Sequence, residues 1–578
     1  MNGDKKERYL VTSALPYANG ALHVGQIAGA YLPADVFVRY LRARGENVIY
    51  ICGTDEHGVP ITLTAEREGK SPKEVVDYWY AHMKETFGRF NISFDNFSRT
   101  STPVHAKNTQ LFYRKLKEGG YISEAESQQM YSPAEGRFLP DRYVEGTCPV
   151  CGYKEARGDQ CDNCGSWYEA YELIEPHSKI TGAPAEARET RHLYFDLSQF
   201  SDRLKEYITG QDHWRSSVKN FILGIIEAGL EKRSITRDIE WGVPVPEPGF
   251  EDKRFYVWFD ACIGYLSATV EWAELNGDPD RWREYWQEPD TKIIHFIGKD
   301  NTVFHTTVWP AQLMGTREDG EEPFVLPYDV PANEFMNLEV VVDGEPRQMQ
   351  MSTSRNLAVW LHEALDRFPA DPLRFYLASS LPETGDVAFS WRDFQERVNS
   401  DLIGNLANYV NRVLSFTEKY ADGEVSRPKE FPQAVLDVFE DFKEIEARYD
   451  KKMLAPRPRE ALGELMALGR RANRFFDAEA PWKTRREDPE RTEITLYACS
   501  ALLGSIAYHA TPYVPDAMER LQGFFTGPIA RITDLEELPA GYRVTGAKPL
   551  FRRIEDAEIL DAEEQLSRAV RGEADGAA

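Results

Sequence analysis

Residues 9 to 29, Tyr-Leu-Val-Thr-Ser-Ala-Leu-Pro-Tyr-Ala-Asn-Gly-Ala-Leu-His-Val-Gly-Gln-Ile-Ala-Gly, admit few folds. Residues 9 to 12 form an apolar, β-branched run suited to a buried strand, and Pro16, Asn19 and Gly20 stop it. Leu22, Ile27, Tyr31 and Leu32 then fall near helical spacing, which puts His23 and Gly25 at the first turn of a helix that follows a strand directly. There the unpaired N–H groups and the helix dipole favour an anion such as a phosphate. Gly25 lets a ligand approach the backbone, and His23 can reach a phosphoryl oxygen. A His at such a place is equally an ordinary capping residue, so the rest of the chain has to decide.

The α/β pattern continues. A helix over residues 35 to 44 ends near Gly45, and a strand over 47 to 52 runs into Gly53-Thr-Asp-Glu-His-Gly58. Ligands of open parallel sheets bind outside the carboxyl ends of the strands, so Asp55 is a candidate partner for a cationic group, with a solvated turn carboxylate as the plain alternative. Residues 71 to 118 read as helical, with Trp79, Met83, Phe87 and Phe90 as a core stripe. A strand starting at Arg254 enters a helix with Trp258, Ala261, Cys262 and Tyr265 clustered at the turn, either core packing or the lining of an apolar pocket. A strand over 292 to 297 ends in Gly298-Lys299-Asp300, with His305 about one helical turn further on. A strand over 325 to 331 and a hairpin about Asp343-Gly344 precede Gln350-Met-Ser-Thr-Ser-Arg355, a small-residue loop that Arg347 and Arg355 make anion-friendly.

Between residues 118 and 188 the chain becomes turn-rich and carries Cys148-Pro-Val-Cys151 and, nine residues on, Cys161-Asp-Asn-Cys164. Four thiolates close a tetrahedral Zn²⁺ site with no open position, so one structural zinc is expected. Residues 131 to 136 and 176 to 179 look like a second knuckle without cysteines. Seven cysteines in 578 residues, four of them clustered, suit a reducing compartment better than a disulfide framework. No apolar run approaches the ~20 residues of a membrane helix and the polar start lacks a signal peptide's apolar region, so a cytoplasmic protein with no membrane partner is expected. A formal charge of −26 argues against a nucleic-acid partner only weakly, because a local basic groove can coexist with an acidic exterior. Beyond Trp391 the pattern is helical almost to Phe524, an all-α bundle.

His23-Val24-Gly25-Gln26 resembles the His-Ile-Gly-His signature of class I aminoacyl-tRNA synthetases, and Gln350-Met351-Ser352-Thr353-Ser354 resembles their Lys-Met-Ser-Lys-Ser. With Ala14-Leu15-Pro16-Tyr17, Asp55, residues 258 to 265, His305, the zinc knuckle and Ala480-Pro481-Trp482, the chain resembles the methionyl-tRNA synthetase family over residues 9 to about 545. The resemblance implies a Rossmann-like parallel-sheet α/β catalytic domain in two halves (1–117 and 218–330) around a connective zinc-knuckle insertion (118–217). A stem-contact region (331–392), an all-α anticodon-binding bundle (393–545) and a tail (546–578) follow. It implies ATP with Mg²⁺, L-methionine and tRNA(Met), including the initiator, as partners. By analogy His23, Gly25, Gln26, Lys299, Asp300 and residues 350 to 354 hold ATP. Ala14, Leu15, Tyr17, Asp55, Trp258, Ala261, Cys262, Tyr265 and His305 hold methionine, with Asp55 on its ammonium. Asn405, Pro481 and Trp482 meet the anticodon.

Three departures stand out. Gln26 carries no titratable proton. Both signature lysines are absent, and a hydrogen bond to a charged group is worth ~1.5–3 kcal/mol, so an uncompensated loss costs roughly ten- to a hundredfold in rate; Arg355 is the expected catalytic replacement. Tyr409 stands where relatives often place an arginine, with Arg412 nearby. A cysteine-specific synthetase, the nearest rival, coordinates zinc in its active site, and a closed four-cysteine site argues against it.

Overall fold

The computed structural model describes residues 6–140, 143–158, 161, 163–164, 166, 168–316, 323–342, 345–352, 356–527, 529–534 and 541–571. Five parallel strands organise the first 333 residues: β1 (Arg8–Ser13), β2 (Asn47–Thr54), β3 (Asn96–Arg99), β4 (Thr291–Gly298) and β5 (Ala332–Asn333), in the spatial order β5-β4-β1-β2-β3. The apolar run of β1 is what a strand covered on both faces requires, and Leu10 and Val11 are fully buried between Ile293 of β4 and Ile49 of β2. From β1 the chain steps outward to β2 and β3, then returns to the other side of β1. The order therefore reverses at β1, and a crevice opens beyond the carboxyl ends of β1 and β4.

Two expectations about this layer are corrected. Residues 71 to 118 are two helices, Pro72–Arg89 and Pro103–Glu118, with β3 between them. Ser71 and Thr102 cap their starts and proline follows each cap, whereas β3 is a four-residue edge strand with half-polar composition that periodicity cannot reveal. Residues 325 to 331 are not a strand. Pro327 and Pro331 lack ladder donors, and only an isolated bridge between Asp329 and Ile294 precedes the two-residue β5.

The insertion is built on a long antiparallel pair, Ile122–Ser132 with Glu186–Phe195, which carries a small three-stranded lobe with the cysteines. That lobe's apolar cluster packs on Val59 and Leu63 of the helix Val59–Glu68, and Tyr143 Oη donates to Thr62 Oγ1 at 2.9 Å. The hairpin Met336–Val342 with Glu345–Met349 leads to the second signature. From Trp391 to Phe524 the described elements are helices apart from Glu424–Ser426, which pairs with Gly541–Arg543 further on. The tail helix Asp556–Arg571 packs back on the hairpin and on Trp391–Arg397. Arg374, in the helix Ala370–Ser379, ties the sheet domain to the bundle: its Nη2 forms a buried ion pair with Asp35 at 2.6 Å, and its guanidinium also donates to the carbonyls of Asn91, Pro512 and Tyr513. The Arg39 and Arg374 charges overcome burial to hold Asp35 down at about 2.

Candidate active site

The crevice holds a cavity of about 440 Å³. His23 is the N-cap of the helix that runs through Val24–Gln26 and a π turn, Ile27–Tyr31, into Leu32–Ala43. Its Nδ1 accepts from the Gln26 backbone N–H at 3.3 Å, while Gln26 Oε1 accepts from the His23 backbone N–H at 3.0 Å. This is a capping box with His in place of Ser or Thr. Burial lowers the His23 pKa to about 4, so the ring is neutral, and with Nδ1 accepting, its proton sits on Nε2. The amide of Gln26, its oxygen engaged, has N–H donors to present at a cavity that both side chains line. Capping and ligand-facing roles, alternatives in the sequence, coexist in one geometry.

The second signature is tied to the first. His23 forms a backbone bridge with Trp360, Val24 N–H donates to the Val359 carbonyl at 3.0 Å and Leu361 N–H to the Leu22 carbonyl at 2.8 Å. Gly25 makes this junction close: a Cβ there would lie 3.1 Å from the Met336 carbonyl and 3.0 Å from His23 Nδ1, so its neighbours would have to give way. Gln350 and Met351 line the cavity, and Ser352 is bridged to Leu357 outside it. Thr353, Ser354 and Arg355 lie outside the described residues. Asp300 lines the cavity too. Lys299 does not: its ammonium is bound to Glu334 at 2.7 Å and Asp386 at 2.9 Å, bracing the cavity wall 334 to 336 from behind.

Every residue expected around methionine lines the same cavity. Ala14, Leu15 and Tyr17 come from the turn after β1 and Asp55 from the turn after β2, the two turns joined by Asp55 N–H to the Pro16 carbonyl at 2.8 Å. The strand before Trp258 is short, only Arg254–Phe255, and Trp258 lies in the helical turn Val257–Asp260 that follows. It stacks on Phe304 at 3.7 Å between ring centroids. Ala261, Cys262 and Tyr265 follow on the wall, and Leu15 reaches over Gly264, where a Cβ would lie 2.8 Å from its Cδ1. His305 sits in a π turn, Phe304–Val308. Its Nδ1 donates to the Asn301 carbonyl at 3.0 Å, so its Nε2 accepts, and Tyr265 Oη donates to it at 2.8 Å. Burial brings His305 to about 4, leaving it neutral. Asp55 is buried; that burial first, and the Asp260 charge next, push its pKa well above the usual carboxylate range. The cavity thus sets the buried Asp55 carboxylate beside an apolar pocket in which Tyr265 and His305 satisfy each other. Sequence reasoning missed Asn301, Glu334, Phe335 and Met336 on this wall, and the group behind it formed by His57, His105 and Asp260; isolated polar residues in apolar runs were the only signal.

The chain matches the family model "tRNA synthetases class I (M)" over residues 9–414 and the model "Anticodon binding domain of methionyl tRNA ligase" over residues 429–570. The chain belongs to the class I methionyl-tRNA synthetases. It is 78% identical over 569 residues to the methionine–tRNA ligase of Rubrobacter xylanophilus, covering 98% of each chain. It is 46% identical to that of Thermococcus onnurineus, covering 96% of this chain and 75% of the relative. Among solved structures it resembles the Mycobacterium tuberculosis methionyl-tRNA synthetase in complex with methionyl-adenylate, with TM-score 0.76, 26% identity, and coverage of 95% of this chain and all of that one.

Two further places bear on membership of this family. The four cysteines come together, with Cys148 Sγ 3.9 Å from Cys164 Sγ and Cys151 Sγ 3.6 Å from Cys161 Sγ. Zn–S bonds of ~2.3 Å in a tetrahedron require sulfur separations of about 3.8 Å, so the donor set fits zinc. In the bundle, Pro481 opens the short helix Pro481–Glu487 and Trp482 is 38% exposed, too open for a core tryptophan. Arg412 lies 5.8 Å from the Trp482 ring and 4.4 Å from Phe476. Tyr409 is core, its hydroxyl on the Cys499 carbonyl at 2.9 Å. The Asn405 amide bonds within the bundle, to the Met466 carbonyl at 3.0 Å and to Asn473 at 3.3 Å.

Proposed function

We propose that this chain joins L-methionine to tRNA(Met), initiator included, in two steps in the cytoplasm. The methionine carboxylate attacks the α-phosphorus of ATP and expels pyrophosphate with Mg²⁺, and the ribose of the terminal adenosine then attacks the methionyl-adenylate. The reading is carried by one observation: a neutral, N–H-rich helix start and a buried carboxylate beside an apolar pocket share one cavity at the reversal of strand order. In-line displacement at phosphorus needs positioning and charge stabilisation rather than an enzyme nucleophile. His23 Nε2–H and the Gln26 amide donate to the phosphates. Asp55 receives the ammonium, while Trp258, Tyr265 and His305 enclose the thioether. Cys148, Cys151, Cys161 and Cys164 hold one structural zinc.

Methionine-dependent exchange of pyrophosphate into ATP tests the first step, and its absence with intact tRNA binding would leave only an RNA-binding protein. In the same assay, norleucine and homocysteine should be activated with kcat/KM about ten- to a hundredfold below methionine. An apolar pocket separates such neighbours by only ~1–3 kcal/mol, and Tyr265 has given its proton to His305 rather than to sulfur. Total rejection of both would refute this picture of the pocket.

At the far end of the chain Trp482 stacks on an anticodon base with Arg412 beside it. Stacking is worth ~1–3 kcal/mol per base, so Trp482→Ala should lower kcat/KM for tRNA charging by roughly five- to a hundredfold. Pyrophosphate exchange should stay at the wild-type rate. Equal loss in both assays would mean that the tryptophan only supports the fold.

A further inference from the structure

Behind the cavity, the Asp55 turn and the apolar wall meet at a buried group that none of these roles uses. Asp260 immediately precedes Ala261, is 1% exposed, and its Oδ2 lies 2.7 Å from His57 Nδ1 and 3.3 Å from His105 Nε2. His57 is two residues past Asp55, and its backbone N–H donates to Asp55 Oδ1 at 3.3 Å. His105 comes from the helix Pro103–Glu118 and its Nδ1 is 3.1 Å from Ser267 Oγ, on the helix that carries Tyr265. Among the described residues Asp260 Oδ1 has no hydrogen-bond partner.

Such a group is poorly explained by stability. A buried polar network is often no better than apolar side chains of the same volume, and an orphaned carboxylate oxygen is costly. What the group does provide is fixed distance. It ties the turn that carries Asp55 to the segment that carries Ala261 and Cys262 and leads into the helix of Tyr265, with His57 and His105 meeting on the Asp260 carboxylate. A short polar turn such as 53–58 would otherwise be free to carry Asp55 towards or away from the pocket.

We propose that Asp260 and His57 are positioning residues that set the separation between the ammonium-binding carboxylate and the thioether pocket, so that the site measures the length of an α-amino acid. The proposal rests on the reading of Asp55 as ammonium partner.

The test uses the full-length zinc-bearing protein, L-methionine, and 4-(methylthio)butanoate, which is methionine without its amino group. Asp260→Ala and His57→Ala should raise the methionine KM in pyrophosphate exchange about ten- to thirtyfold, the worth of one hydrogen bond to a charged group. The ATP KM, and inhibition by the des-amino analogue, should not move. His57→Asn, whose amide restores a donor near the position of Nδ1, should stay within about threefold of wild type on the same scale. If Asp260→Ala does not accumulate as folded protein, Asp260→Asn carries the same expectation. Equal weakening of methionine and the des-amino analogue would overturn the proposal, because the wall itself would then have shifted. So would an unchanged methionine KM in these variants while Asp55→Asn raises it. If Asp55→Asn also leaves it unchanged, the underlying reading of Asp55 falls, and the proposal with it.

Discussion

Asp55→Asn should lower kcat/KM for methionine in pyrophosphate exchange by roughly a hundredfold or more, with the ATP KM unchanged. Removing one partner of a buried, hydrogen-bonded charge pair costs about 2–5 kcal/mol, or roughly thirty- to several-thousandfold. Asn keeps the shape and one acceptor oxygen, which sets the lower part of that range. The pH dependence should follow. Burial and the Asp260 charge make the ligand-free Asp55 hold its proton above the ordinary carboxylate range. Methionine needs the ionised form, so its KM should fall as pH rises from about pH 4 through the raised value, and that slope should vanish in the variant. The sign for stability is opposite. A carboxyl whose folded pKa exceeds its unfolded one binds more protons when folded, so its contribution to stability falls as pH rises through that interval. Ligand-free Asp55→Asn should therefore melt above the wild type at pH 8, with the gap closing towards pH 4. A variant that activates methionine normally would remove Asp55 from the site.

Zinc removal should have the other large effect, and it should reach the same turn. Zinc binding to structural sites of this kind is worth about 10–16 kcal/mol in small peptides at neutral pH. The lobe's apolar cluster includes Cys148 and Cys161 themselves and leans on Val59 and Leu63, in the helix that starts just after His57. Chelation, or Cys148→Ser with Cys161→Ser, should release one equivalent of zinc and unlock amide exchange across the lobe. The methionine KM should then rise well before the rest of the chain unfolds. Two equivalents of zinc in the untreated protein, or full activity and protection without any, would contradict this.

Much of the catalytic corner was legible because its chemistry is local. The strand, the turn and the helix start of residues 9 to 29 each carry their own signals, and the structure places His23, Gly25 and Gln26 as that pattern dictates. The cysteine spacing was equally explicit. What stayed hidden depends on partners distant in sequence. β3 is a strand only because β2 offers it an edge, and residues 325 to 331 fail to be one because proline removes the donors. Lys299 follows a strand in the place of a phosphate ligand, yet Glu334 and Asp386, 35 and 87 residues away, take its charge. Asp260 looked like one polar residue in an aromatic run; its meaning lies in His57 and His105, more than 150 positions earlier. Trp482 could be separated from a core tryptophan only by its exposure.

The insertion carries the cysteine-free copy of the knuckle that residues 131 to 136 and 176 to 179 suggested. Gly136 N–H bonds back to the Ser132 carbonyl and Gly182 N–H to that of Ser178, just as Gly152 N–H does to Cys148. Ser132 Oγ accepts the Glu135 N–H at 3.3 Å, Ser178 Oγ accepts the Thr181 N–H at 3.4 Å, and Thr181 Oγ1 closes onto Glu135 at 2.7 Å. Hydroxyl and carboxylate groups here close turns of the kind that thiolates close next door. In a lobe built this way an oxidant finds thiols in only one of the two pairs of turns, where Cys151 and Cys164 are exposed.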